Sequence, residues 1–367
     1  MSDRAEERSG ASPATGLPRL EDFCAGALRA AGGDPATARA ATRAMMHGTR
    51  LGIDSHGVRL LPHYVKAIEG GRVNGRPAMA WHATSPAAAA LDADHGHGAL
   101  AAYRAMDRAM ALAADYGIGA VAVRNSSHFG PAGAYALHAA QGGCLGMVFC
   151  NSDSFVRLHG GAARFHGTNP IACAVPAPGG DPWLLDMATS AVPFNRVRLY
   201  QSLGTPLPAG VASDAQGRDV ADPAQADMLA PLGGEFGFKG AGLAGLAEIL
   251  SAVLTGMRLS VDIPPMEGPD FSTPRRLGAF VLAVRPDAFL PRADFDAAMS
   301  RYLSALRASP ARRGMQVLAP GDREWEVARH RERHGVALDP DTEASFRQLA
   351  ARFGLAPPFP PPGAGGA

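Results

Sequence analysis

Cysteine is scarce in this chain. The four present, Cys24, Cys144, Cys150 and Cys173, include no pair at CxxC spacing, and no HExxH occurs anywhere. Zinc and iron sites built on those patterns are therefore not expected, and such sparse cysteine fits a reducing cytoplasm. Charge of one sign is also missing: 35 basic residues stand against 34 acidic ones, for a formal net charge of +1. Neither nucleic acid nor an acidic membrane surface is an expected partner. No long apolar run suggests a membrane span, and Met1 to Leu17 lacks the apolar core of a secretion signal. The expectation is a cytoplasmic globular protein. With 47% hydrophobic residues in 367, it has enough to bury one large core or two smaller ones.

Residues 1–17 and 356–367 read as disordered tails, rich in small residues, proline or charge. Between them the character of the chain changes twice. From Leu20 to Leu51 an alanine-rich run reads as two helices broken at Gly32-Gly33-Asp34-Pro35, where aspartate and proline suit a cap and first turn. Leu60 to Glu69 continues at helical spacing. The middle is mixed. Helices are expected over Gly98–Tyr116, Pro131–Gln141 and Gly240–Gly256, and strands over Gly119–Val123, Leu145–Cys150, Ile171–Val175, Trp183–Asp186 and Ala279–Val284. Helices return over Asp294–Ala308 and Asp341–Phe353. This is an α/β chain of the α+β type, whose helical ends are expected to pack together.

Two histidines stand out, each beside hydroxyl residues and a glycine turn: Asp54-Ser55-His56-Gly57 and Ser126-Ser127-His128-Phe129-Gly130. An imidazole titrating near neutrality suits proton transfer, although a lone loop histidine is more often structural. His128 follows an expected buried strand, where enzymes of mixed architecture commonly present reactive groups. A metal is the rival use of histidine, but Asp92-Ala93-Asp94-His95-Gly96-His97 has no matching second cluster and reads as a turn before a helix. Gly240 to Gly245 satisfies GxGxxG, yet the residues before it form a loop rather than the apolar strand a dinucleotide fingerprint requires. The plainer reading is that Gly242 and Gly245 let a helix pack closely. Lys239 at that helix start makes a plausible phosphate or carboxylate site. Asp186 to Ser190 ends a strand with small residues that suit close approach of a nucleotide, or form an ordinary cap.

The segments DSHG, SSHFGP, GTNP (Gly167 to Pro170), LDMATS (Leu185 to Ser190), GFKGAGL (Gly237 to Leu243) and APGDRE (Ala319 to Glu324) occur in one order. Together they resemble the malate/L-lactate dehydrogenase family of non-Rossmann NAD(P)H-dependent oxidoreductases, over nearly all of Leu20 to Phe353. The resemblance implies a homodimer without metal. It also implies a helical domain of residues 18–85 with 286–355, and a cofactor domain of residues 86–285 on a mixed, largely antiparallel sheet. His128 matches the catalytic base and His56 a second proton donor or substrate ligand. Ser55, Tyr64 and Arg59 are the implied substrate contacts. Ser152, Asp186, Met187, Ala188, Lys239, Gly240, Pro320, Gly321 and Asp322 match positions that hold the dinucleotide, NAD or NADP, with NAD put first. Two departures stand out. Leu60 fills the slot where relatives usually carry an arginine for the substrate carboxylate, with Arg59 one position earlier, and Phe194-Asn195-Arg196 replaces a common glycine-lysine pair. The implied reaction is hydride transfer between nicotinamide and a small 2-hydroxy or 2-oxo acid. The alternatives are reduction of a cyclic imino acid, or a silent relative that only binds the dinucleotide.

Overall fold

The computed structural model describes residues 14–359. Most of the two expected tails lies outside that range. Of their described parts, Thr15 bridges Val336 and Phe359 is buried in the helical core.

The chain opens with α1 (Leu17–Ala30), α2 (Pro35–Arg50) and α3 (Leu61–Glu69), with single turns at Asp54–His56 and Val58–Leu60. Asp34 caps α2 by accepting from Thr37 N at 2.6 Å, with Pro35 at the first helical position. The same device starts α10 (Pro340–Phe353), where Asp339 accepts from Thr342 N at 3.1 Å. These ends meet in one apolar cluster, in which Leu20, Phe23, Leu28, Met45, Leu61 and Tyr64 pack with Val336, Phe346 and Leu349. Helices from both ends of the chain thus share one core. Between them α9 (Asp322–His334) lies against α2, while α8 (Arg292–Arg307) packs on the short turn at Pro286–Ala288.

The middle of the chain builds a seven-stranded sheet. Its strands are β1 (Ala80–Ser85), β2 (Ala88–Asp92), β3 (Ile118–Ser126), β4 (Leu145–Cys150), β7 (Ile171–Val175), β8 (Trp183–Met187) and β11 (Leu277–Val284), in the order β1-β2-β3-β11-β4-β7-β8. Only β2 and β3 pair in parallel, so the sheet is mixed and largely antiparallel as expected. A smaller sheet orders β6 (Arg164–His166), β5 (Val156–Arg157), β10 (Met228–Leu229) and β9 (Ala212–Ser213), with α6 (Phe194–Leu203) packed on its apolar side. One face of the large sheet is covered by α4 (Gly98–Tyr116) and α5 (Gly133–Gln141), which bury rows of alanine against Val121, Val123, Val148 and Val281. Small residues let those helices sit close to the strands. On the other face lies α7 (Phe238–Glu248), which runs into a π-helical turn at Ile249–Val253.

Register decides where chemistry can gather. Leu277 pairs with Ser126, Ala279 with Cys150, Phe149 with Ile171 and Ile171 with Met187. The end of β3, the start of β11, the end of β4, the start of β7 and the end of β8 therefore share one end of the sheet. Neighbouring strands lie about 4.8 Å apart, so the four spacings from β3 to β8 make a row of roughly 19 Å.

Candidate functional site

The row begins at His128, two residues past β3. Its loop is clamped from several sides. Ser127 Oγ accepts from Gly98 N at 2.9 Å and donates to Gly96 O at 3.0 Å, and the Tyr135 hydroxyl donates to Phe129 O. Gly98 is glycine because the head of α4 touches this loop: a Cβ there would lie 2.2 Å from Ser127 O. The Asp92–His97 run is used in the same junction. Asp94 and His95 have positive φ, Asp94 accepts from Asn74 Nδ2 and Ala78 N, and His97 caps α4.

The helical layer supplies the facing groups. Tyr64 projects from α3, and its hydroxyl meets His128 Nδ1 at 2.9 Å. The His56 ring stacks on His128 with centroids 5.9 Å apart, and its own Nδ1 meets Ser55 Oγ at 2.9 Å. Behind Tyr64 the buried His97 ring stands edge-on at 4.3 Å. The short turn that carries His56 is fixed from outside by Arg331 of α9, which bonds both oxygens of Asp54 and Thr49 O. Four groups singled out in the sequence, Ser55, His56, Tyr64 and His128, thus come together.

Burial sets their protonation. Desolvation lowers His56, and it lowers His128 well below the ordinary imidazole value, with the neighbouring His56, His63, Arg275 and His97 adding to the effect. His97 and His63 are pushed down to about 3 and about 4, also mainly by burial. Near pH 7 the cluster is neutral. Burial also raises the Tyr64 hydroxyl far above its usual range, so it stays protonated. With Tyr64 accepting from Nδ1–H, His128 keeps a free Nε2 lone pair that can take a proton.

Arg59 does not join this cluster. It is exposed and lines a surface hollow with Lys66, Glu267 and Asp341, a hollow that includes neither His56 nor His128. Leu60 is half-buried and packs on the helical core.

Along the row from His128, Ser152 follows β4, its Oγ accepting from Thr168 N at 3.1 Å. Beneath it, buried Glu248 of α7 accepts from Asn169 Nδ2 at 2.7 Å, Ser260 Oγ at 2.6 Å and Ser260 N at 2.6 Å, tying two loops to the helix. At the far end stands Asp186 on β8. It accepts from Gly133 N at 2.8 Å at the head of α5, and burial raises its carboxyl to about 6. Met187 and Ala188 follow, half-buried. Ser190 bridges Pro231, and Leu232 N donates to Thr189 O at 2.9 Å, which brings the start of α7 beside this loop. Gly240 is required there, since a Cβ would meet Leu232 O at 2.2 Å. Lys239 is exposed, its Nζ 5.4 Å from the centre of the Phe236 ring.

At Pro320-Gly321-Asp322, Pro320 O accepts from Leu184 N at 3.1 Å. The Asp322 carboxylate is engaged by Arg307 and by Ala319 N, so backbone and ring edges are what this turn leaves free. The GxGxxG stretch lies inside α7 after a turn, and the expected close packing at two of its glycines is not found. A Cβ at Gly242 or Gly245 would meet nothing within 4 Å, because this face of α7 looks outward from the chain.

One prominent pair was missed by reading the sequence. Buried Arg275, two residues before β11, is ion-paired with Asp153 just past Ser152, and its Nε donates to Pro264 O at 2.9 Å. Its Nη1 has no partner. The only hint in the sequence was the twin Arg275-Arg276 at the mouth of an apolar strand.

The family model of malate/L-lactate dehydrogenase matches residues 17–347. Malate dehydrogenase of Pyrococcus abyssi is 33% identical over 312 residues, which cover 83% of this chain and 85% of that one. Delta(1)-pyrroline-2-carboxylate reductase of Pseudomonas fluorescens is 31% identical, over 87% of this chain and 94% of its own. Among solved structures, malate dehydrogenase from Entamoeba histolytica superposes with a TM-score of 0.89 at 28% identity, over 95% of this chain and all (100%) of that one.

Proposed function

The chain belongs to the malate/L-lactate dehydrogenase family, and from that premise we propose that it is an NAD(P)H-dependent oxidoreductase of small 2-hydroxy and 2-oxo acids. The observation that carries this reading is the neutral His128 held by Tyr64 and stacked on His56 at one end of a row of loops. His128 takes the hydroxyl proton during oxidation at Nε2 and returns it during reduction, while Tyr64 keeps the ring oriented. His56, oriented by Ser55, is the second group able to donate to the substrate oxygen. A bound nicotinamide would take or supply the hydride. Ser152, Asp186, Met187, Ala188, Lys239, Gly240 and the Pro320–Asp322 turn are the residues that would hold the dinucleotide. In support, the loops that carry Ser152, Met187, Ala188 and Gly240 line a row long enough for an extended dinucleotide, with Lys239 as an accessible cation at a helix start and the Pro320–Asp322 turn beside Leu184 of β8. NAD is the first choice of cofactor and NADP the second.

Two finer readings go with this. The protein is a homodimer whose partner copy covers the outward face of α7. Leu243, Leu246, Ile249, Val253 and Leu254 are exposed there, beside the bare backbone of Gly242 and Gly245. It works in the cytoplasm, where its four free cysteines would remain reduced.

A second reading, reduction of a cyclic imino acid, is favoured by the similarity to a pyrroline carboxylate reductase. Absorbance at 340 nm separates the two, with NADH or NADPH and a panel of 2-oxo acids and cyclic imino acids. Oxidation of the cofactor with a 2-oxo acid is expected. Turnover of imines alone would replace the first reading by the second, and no binding of either cofactor would sink both.

A further inference from the structure

We infer that Arg275 grips the carboxylate of the substrate, its unpartnered Nη1 donating to a carboxylate oxygen while Nη2 stays on Asp153. The inference rests on the proposed oxidoreductase reading and names the residue that would recognise an acid within it.

Position is the first argument. Leu277 on β11 pairs with Ser126 on β3, so continuing that antiparallel register by two residues sets Arg275 level with His128. On its other side lies Asp153, next to Ser152. Arg275 thus sits between the proposed base and the proposed cofactor loop, where the carbon next to a carboxylate would have to react. The second argument is an unfilled valence. The Arg275 side chain is only 2% exposed; Nε donates to Pro264 O and Nη2 to Asp153, yet Nη1 is buried with no partner. An unpaired buried donor is costly, more so on a charged group, and a carboxylate would satisfy it. Its positive charge already bears on His128 and His63.

The third argument is the placement of the other arginines on this side of the helical layer. Arg59 lines an outer hollow, and Leu60 is apolar. Buried Arg72 has both terminal nitrogens on the carbonyls of Pro265, Met266 and Asp270. Arg275 alone of these has a free terminal nitrogen beside the base.

The test compares a 2-oxo acid with its neutral amide as substrates of the wild type and of Arg275→Gln, with NADH affinity and thermal stability measured in parallel. Because removing Arg275 leaves Asp153 buried and unpaired, the double variant Asp153→Asn/Arg275→Gln is measured beside it. Loss of one charge-assisted bond predicts a rise in KM for the acid of about 10- to 100-fold. KM for the amide should change little, so that the preference for the acid collapses in whichever variant folds. A folded variant that keeps the full preference would overturn the assignment while leaving the oxidoreductase reading intact. A wild type that binds NADH but reduces neither acid nor imine would defeat that reading and this assignment with it.

Discussion

The two ends of the loop row are built differently. At the His128 end the working parts are side chains: two imidazoles and a tyrosine hydroxyl joined by hydrogen bonds to the helical layer, and a buried guanidinium held by Pro264 O and Asp153. At the Asp186 and Gly240 end the parts are mostly backbone, where strands stop, a helix starts and glycine is needed for close approach. Burial keeps the histidines of the first end neutral, whereas the second leaves Lys239 in solvent. Proton transfer needs a fixed, desolvated group, whereas a polyanionic cofactor can be met by amides and one mobile cation. Changes at the two ends should therefore fail in separable ways.

The sharpest break is His128→Ala. Removing a general base commonly costs 10²–10⁴-fold, so turnover should fall by about 10³-fold. NADH affinity, read by fluorescence titration, should stay within about twofold, because the proposed dinucleotide contacts lie away from His128. Turnover close to wild type would remove His128 from the mechanism and leave His56 as the proton carrier.

Gly240→Ala tests the other end. The added methyl would lie 2.2 Å from Leu232 O and 2.6 Å from Leu232 N, both backbone atoms, so the head of α7 must shift. Overpacking of this kind costs about 1–3 kcal/mol. The expected result is a loss of NADH affinity of about tenfold, or ~1.4 kcal/mol, with the preference among substrates unchanged. An unaltered cofactor affinity with altered substrate preference would mean that the ends are not separable.

The same contrast explains what the sequence could reveal. The histidine end was legible because Asp54-Ser55-His56 and Ser127-His128 carry their chemistry in residue type, and α2, α4 and β11 announce themselves by caps and apolar periodicity. Elements built from other signals were not read. β2 is largely alanine, a weak strand former, and β1 mixes Trp81 with alanine and polar residues; both are placed by pairing, β2 with β3 and β1 with β2. α9 is mostly charged, with Trp325, Val327 and Ala328 as its apolar residues and Ala328 as its one buried residue, so no apolar stripe marks it. The smaller sheet has strands of two or three residues, too short for any period. Arg275 stayed hidden because its partner Asp153 is 122 residues away and only strand register brings them together. Long-range pairing of this kind leaves no local trace.

The smallest effect is the most specific to the histidine end. Tyr64→Phe removes the acceptor for His128 Nδ1–H and should lower turnover by about tenfold, the scale of one hydrogen bond. Its sign in pH is fixed by the direction of the shift. Burial holds the His128 pKa well below 6.5, so oxidation, which needs neutral imidazole, should be level through neutral pH and fall only in acid. Reduction needs imidazolium and should rise as the pH is lowered. The Tyr64 oxygen stabilises Nδ1–H more strongly when the ring is charged, so its loss lowers the pKa further. The acid limb of oxidation should then move to lower pH in Tyr64→Phe, and reduction at neutral pH should suffer more than oxidation. If the limb stays in place, the tyrosine only fills space, and the orientation of His128 must come from the clamped loop instead.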